Sequence, residues 1–100
     1  MKKIVLNADR TLNIINFSKI TVLVDTQSDN SCSYYRLLAS HEFGRISKTD
    51  VSEVNTLHYT EKDLQEYCTH LIKSCPELRP YLLQFDSELE FNTWREVTIQ

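Results

Sequence analysis

Between Thr60 and Pro76 the apolar side chains fall at positions 64, 67, 68, 71, 72 and 75, the spacing of one helical face. No strand accommodates that period, so a helix over about 61–74 is the fixed point around which the chain must fold. Its ends are marked as well. Thr60 stands as N-cap with Asp63 three positions later, a capping-box pair in which Asp replaces the usual Glu or Gln. Tyr59 and Leu64 take the two positions of a hydrophobic staple. Glu61 and Asp63 lie at the positive end of the helix dipole, Lys73 lies at the negative end, and Pro76 stops the run. Leu64, Tyr67, Cys68, Leu71 and Ile72 are then the side chains that fasten the helix to whatever it covers.

The first half of the chain supplies the surface to be covered. Ile4 and Leu6 alternate with Lys3 and Val5, and 12–17 is rich in β-branched and aromatic residues, interrupted by Asn13 and Asn16. Ile20, Val22 and Val24 alternate with Thr21, Leu23 and Asp25, followed by a polar loop over 26–33. The longest strand expected is 34–43, with Tyr35, Leu37, Ala39, His41 and Phe43 on one face and Tyr34, Arg36, Leu38, Ser40 and Glu42 on the other. Its connection to 20–25 is too short for a parallel crossover, which predicts an antiparallel hairpin. Residues 44–59 have no single period, and a strand or a short helix after Thr49 or Asp50 both fit. Beyond the main helix, Pro80 is placed to open a short helical segment through about Phe85. From 89 to 99, Leu89, Phe91, Thr93, Val97 and Ile99 alternate with Glu90, Asn92, Trp94, Glu96 and Thr98, which predicts a C-terminal strand, with a helix as the alternative. The expected architecture is α+β: one domain over 1–100, a mostly antiparallel sheet of four to six strands, and the 61–74 helix on one face over Leu37, Ala39 and Phe43 or the equivalent face of a neighbouring strand.

Composition narrows the function. The single glycine, Gly44, rules out a glycine-rich phosphate loop and leaves the turns to Asn, Asp and Ser. No apolar run approaches the roughly 18 residues that span a bilayer. After Met1-Lys2-Lys3 the apolar stretch is only Ile4-Val5-Leu6, short of the about 7–15 residues of a secretory signal. Cys32, Cys68 and Cys75 are an odd set without a close-spaced pair, which suits a reducing cytoplasm. Residues 1–59 carry seven Lys/Arg against six Asp/Glu, whereas 60–100 carry four against eight, within an overall charge of −3. That balance opposes direct contact with nucleic acid.

Candidate chemistries fall away one by one. Cys68 and His70 point to nearly opposite sides of a helix, since each residue advances about 100°. Cys68 and Cys75 share a face but stand about 10 Å apart along the axis. Neither one zinc nor a disulfide bridges that gap, and both thiols read as core. Cys32, in the polar loop, has no histidine placed beside it by the sequence. His41-Glu42 lacks the second histidine of a metalloprotease and sits on a strand. No catalytic residue, metal ligand or cofactor site is assigned.

What remains is the acidic group Asp86, Glu88, Glu90 and Glu96 around Trp94. It offers an anionic surface with an aromatic anchor, fitted to a basic groove on a protein partner that handles nucleic acid. Tyr34 and Tyr35 are further anchor candidates. In its size, basic MKKIV start, scarcity of glycine and acidic tail, the chain resembles the small Asn/Ser/Thr-rich acidic proteins of phages and mobile elements that block host defence enzymes, anti-CRISPR proteins among them. The resemblance implies a non-enzymatic inhibitor or modulator working in the host cytoplasm on a bacterial defence nuclease complex. It carries no residue roles over. Two other readings stay open: a small ribonuclease toxin using Arg36, His41 and Arg45, and a homo-oligomeric adaptor, for instance a homodimer, joined through its sheet edges.

Overall fold

The computed structural model describes residues 1–6, 18–26, 32–38, 42–46 and 55–99, with only the backbone described at 55–59, 61 and 76. Within them lie six strands: β1 (Lys2–Val5), β2 (Ile20–Thr26), β3 (Cys32–Leu37), β4 (Glu42–Arg45), β5 (Asn55–Thr60) and β6 (Tyr81–Phe85). Two helices join them, α1 (Glu61–Ser74) and α2 (Glu88–Thr98), and a short 3-10 helix (Pro76–Leu78) follows α1. The sheet runs β1-β6-β2-β3-β4-β5, and every described pair is antiparallel. The radius of gyration, 12.8 Å, is that of one domain of this length, about 13 Å.

The helices take opposite faces of the sheet. Because side chains alternate along a strand, β2 sends Leu23 to one side and Val22 and Val24 to the other. On one side Leu23, Phe43, Leu82 and Leu6 pack with Leu64, Cys68 and Ile72 of α1, with Ile4, Tyr35 and Leu37 at the margin. On the other, Val22, Val24, Ile46, Leu83 and Phe85 pack with Phe91 and Ile99, flanked by Tyr34, Tyr81 and Trp94. The central strands β2 and β6 are therefore covered on both faces, which explains why their apolar runs hardly alternate. Thr21 and Gln84, paired across β2 and β6, form a buried polar pair on the α1 side: Gln84 Nε2 donates to Thr21 Oγ1 at 3.4 Å, and Thr21 donates to the Lys19 carbonyl at 3.0 Å.

Helix α1 has the bounds its spacing predicts. Asp63 N–H donates to Thr60 Oγ1 at 3.2 Å and Thr60 N–H to Asp63 Oδ2 at 3.4 Å, so both halves of the capping box form. Thr60→Ala should cost about 1 kcal/mol, read as a lower urea midpoint with the slope unchanged. Tyr67 departs from expectation. It lies on the flank of the buried stripe and is 44% exposed, while Leu71 and Cys75 are half-buried. Leu37 and Phe43 do face α1; Ala39, the 12–17 segment and the Tyr59 side chain lie outside the described residues.

Three expectations need correction. The long strand 34–43 is two strands: β3 ends at Leu37 and β4 begins at Glu42, pairing back antiparallel with Leu37 opposite Phe43. Residues 81–85 are strand, not helix. Pro80 is buried at its entrance, and its carbonyl accepts from Leu6 N–H at 3.2 Å. A five-residue strand buried on both faces reads like a helix segment in sequence. The predicted C-terminal strand is the helix α2. Ser87 caps it by accepting from Glu90 N–H at 3.1 Å, Glu88 and Glu90 occupy the positive end, and Arg95 lies in the last turn. Its inward side carries Phe91 and Trp94, so Leu89 and Val97, the residues that simulated a strand period, point away from the sheet.

Candidate functional site

The start of α2 gathers three of the four acidic residues singled out in the sequence, Asp86, Glu88 and Glu90, and each of the three is met by a cation from a different part of the chain. Lys19 Nζ lies 3.1 Å from Asp86 Oδ1, which holds the Asp86 carboxyl below its usual range through that hydrogen bond and charge. Arg36, on β3, pairs with Glu88, and its guanidinium lies 4.6 Å from the Phe91 ring centroid. The Met1 amino group pairs with Glu90. These contacts span 1, 19 and 36 in sequence and converge on one turn of helix, so the cluster ties α2 to the sheet. Exposed pairs of this kind add little stability individually, but they fix which way the helix lies.

Trp94 is seated within an aromatic group. Its ring centroid is 5.5 Å from Tyr34 with the planes at 75°, 5.4 Å from Phe85 and 6.1 Å from Phe91. This packing, edge-on to Tyr34 and tilted against Phe85 and Phe91, makes it half-buried support for the helix. Glu96 differs from the other acids in lying on the exposed outer arc. At about 100° per residue that arc holds Leu89, Asn92, Thr93, Glu96 and Val97. Leu89 is 77% exposed and Val97 71%. The structure thus divides the predicted group: Asp86, Glu88, Glu90 and Trp94 join α2 to the body, and Glu96 stands with two apolar side chains facing outward.

The other candidates are dispersed. Cys68 is buried, which pushes its thiol up to about 12, with the Asp25 charge adding to the shift. His70 is exposed on α1, and Cys75 is half-buried. Cys32 is exposed at the start of β3, 3.9 Å from Thr26 Oγ1. Arg36 is engaged by Glu88, Arg45 is exposed, and His41 lies outside the described residues. Among the described residues no three His, Cys, Asp or Glu side chains converge as metal ligands. No described helix is long and apolar enough to cross a membrane. The outer strand β1 displays exposed Lys2 and Lys3, charges that discourage strand addition.

One group escaped the sequence reading. Asp25, near the end of β2 on the α1 side, is only 2% exposed, and its Oδ1 has no hydrogen-bond partner. Burial raises its carboxyl above 3.8, and the nearby Tyr67 hydroxyl pulls partly the other way. The same burial, with the nearby Asp25 charge, pushes the Tyr67 phenol up to about 12. The signal was present in the sequence: Asp25 shares a strand face with Thr21 and Leu23 and so had to be buried if they were. Comparison with known proteins returns no match to a family model, a curated protein or a solved structure.

Proposed function

We infer that the chain is a non-enzymatic protein-binding module that inhibits or modulates a bacterial defence nuclease complex, engaging it through the outward face of α2. The observation that carries this reading is the pairing of exposed Leu89 and Val97 with Glu96 on one arc of a firmly seated helix. Apolar side chains at the centre and charge at the rim are the make-up of a protein interface. The acidic balance of 60–100 favours a basic partner surface, of the kind found on nucleic-acid enzymes. Because Asp86, Glu88 and Glu90 already have cationic partners within the chain, shape and apolar contact carry more of the recognition than mimicry of a phosphate backbone.

The test uses the whole chain as bait in a bacterial lysate, alongside the double variant Leu89→Asp, Val97→Asp. Wild type should retain a defence nuclease at stoichiometric yield and lower its cleavage of target DNA. The variant should lose affinity roughly tenfold or more, equivalent to about 1.4 kcal/mol. Its Tm should hold, since neither side chain is in the core. An empty wild-type bait, or equal binding by the variant, overturns the reading.

A further inference from the structure

We propose that the outward pole of α1 is half of a zinc site: Glu66 and His70 bind one Zn²⁺, and the same pair from a second copy of the chain completes its four ligands. The buried stripe of α1 is Leu64, Cys68 and Ile72. At about 100° per residue, Glu66 and His70 each lie about 160° from Cys68, one on either side of the opposite pole. Both are exposed. They belong to a helix that runs unbroken from Glu61 to Ser74, so at a spacing of i and i+4 they share one face a single turn apart. The same spacing lets the two histidines of a metalloprotease helix hold one ion. Both line one open cavity of about 540 Å³ on that face, with Lys62, Gln65, Thr69 and Lys73.

The donor set selects the metal. An imidazole and a carboxylate suit zinc, at bond lengths of about 2.0–2.2 Å. Zinc takes four ligands, and the other side chains lining the cavity do not supply them. Lys62 and Lys73 are ammonium groups with no lone pair to give. Thr69 Oγ1 donates to the Gln65 carbonyl at 2.9 Å, and neither Thr nor Gln is an ordinary zinc ligand. The sheet lies on the far side of the helix, behind Leu64, Cys68 and Ile72. Among the described residues one chain therefore fills two positions on the ion, and a copy related by a twofold axis brings the other two.

Lys62 and Lys73 make the association conditional. On two facing copies they bring four positive charges to the joint, which holds the free chains apart. That repulsion is screened beyond about 8 Å at physiological salt, and bonds from one zinc to both copies outweigh it. Because α2 lies on the other face of the sheet, each copy keeps its Leu89 and Val97 arc free. The zinc form is therefore bivalent.

Light scattering of the full chain on a sizing column, with and without Zn²⁺, reads the state. Without metal the mass should be 11.8 kDa; with zinc it should double at one ion per two chains, and EDTA should reverse it. His70→Ala and Glu66→Ala should stay at 11.8 kDa at the same zinc level. Both positions are exposed, so the Tm of each variant without metal should hold. Cys32→Ser should double in mass like wild type, since the exposed Cys32 thiol lies on β3 and outside the site. A mass unchanged by zinc overturns the proposal, as does zinc bound one per chain in a monomer. A dimer that forms without zinc or survives in His70→Ala overturns it too, and so does loss of the doubling in Cys32→Ser.

Discussion

Phe91→Ala should lower the stability of the chain by about 3–5 kcal/mol, the range for emptying a large aromatic site in a core. Phe91 is 1% exposed and is the fully buried side chain of α2. It meets Phe85 edge-on at 5.6 Å and lies under the Arg36 guanidinium. Removing the ring empties a site between helix and sheet, ends an aromatic pair worth about 0.5–1.5 kcal/mol beyond its area, and leaves the Arg36 cation without the face it covers. Domains hold only about 5–15 kcal/mol in total, so the variant should be marginal. For a chain of this size each kcal/mol lowers Tm by about 4–8 °C. Trp94, 6.1 Å away, supplies the readout: its fluorescence should shift toward that of exposed indole before the rest of the sheet melts. A loss below about 1 kcal/mol would mean that α2 is not seated as described.

Leu82→Ala should cost about 2–5 kcal/mol through the other layer. Leu82 is fully enclosed in β6, between β1 and β2, and packs toward α1 with Leu6, Leu23 and Leu64. Its neighbour Leu83 points the opposite way, into the α2 layer. The two positions therefore separate the faces of one strand. Leu82→Ala should loosen the α1 amides first and leave the Trp94 environment intact, whereas Phe91→Ala should do the reverse. Hydrogen exchange and tryptophan fluorescence on the two variants check the pair. Identical loss of protection in both helices would contradict a two-layer core.

The legible parts of the fold are those in which one face is buried and local chemistry agrees with it. Helix α1 was fixed by six apolar positions and two cap residues, and the β2–β3 pairing by alternation and a short connection. Residues buried on two faces were harder. Tyr81 to Phe85 present an apolar run without a period, and only its neighbours decide that it is strand. Helix α2 failed for a different reason: Leu89 and Val97 are exposed apolar residues, and counting them as core produced a false alternation. The Ser87-x-x-Glu90 cap signature was the local clue that outweighs them. Of the candidate site, composition located the acidic group, but its cations at 1, 19 and 36 are brought together only by the sheet. Asp25 stayed hidden because an isolated acid in a strand looks like a solvent-facing position until both faces are known to be covered.

The strand order has a consequence for synthesis. β6 fills the gap between β1 and β2, yet it is the latest of the six described strands to leave the ribosome. Until then a nascent chain can assemble β2 through β5 by neighbouring hairpins and cap them with α1. Meanwhile β2, one of the most apolar strands, keeps an open edge. Such an edge recruits strands from other chains, and closing it requires joining residues more than 55 apart, such as Val22 and Leu83, a slow step. Yield in cells should therefore depend on how quickly 81–98 follows the helix, and a translational pause placed just after α1 should divert the protein into aggregates.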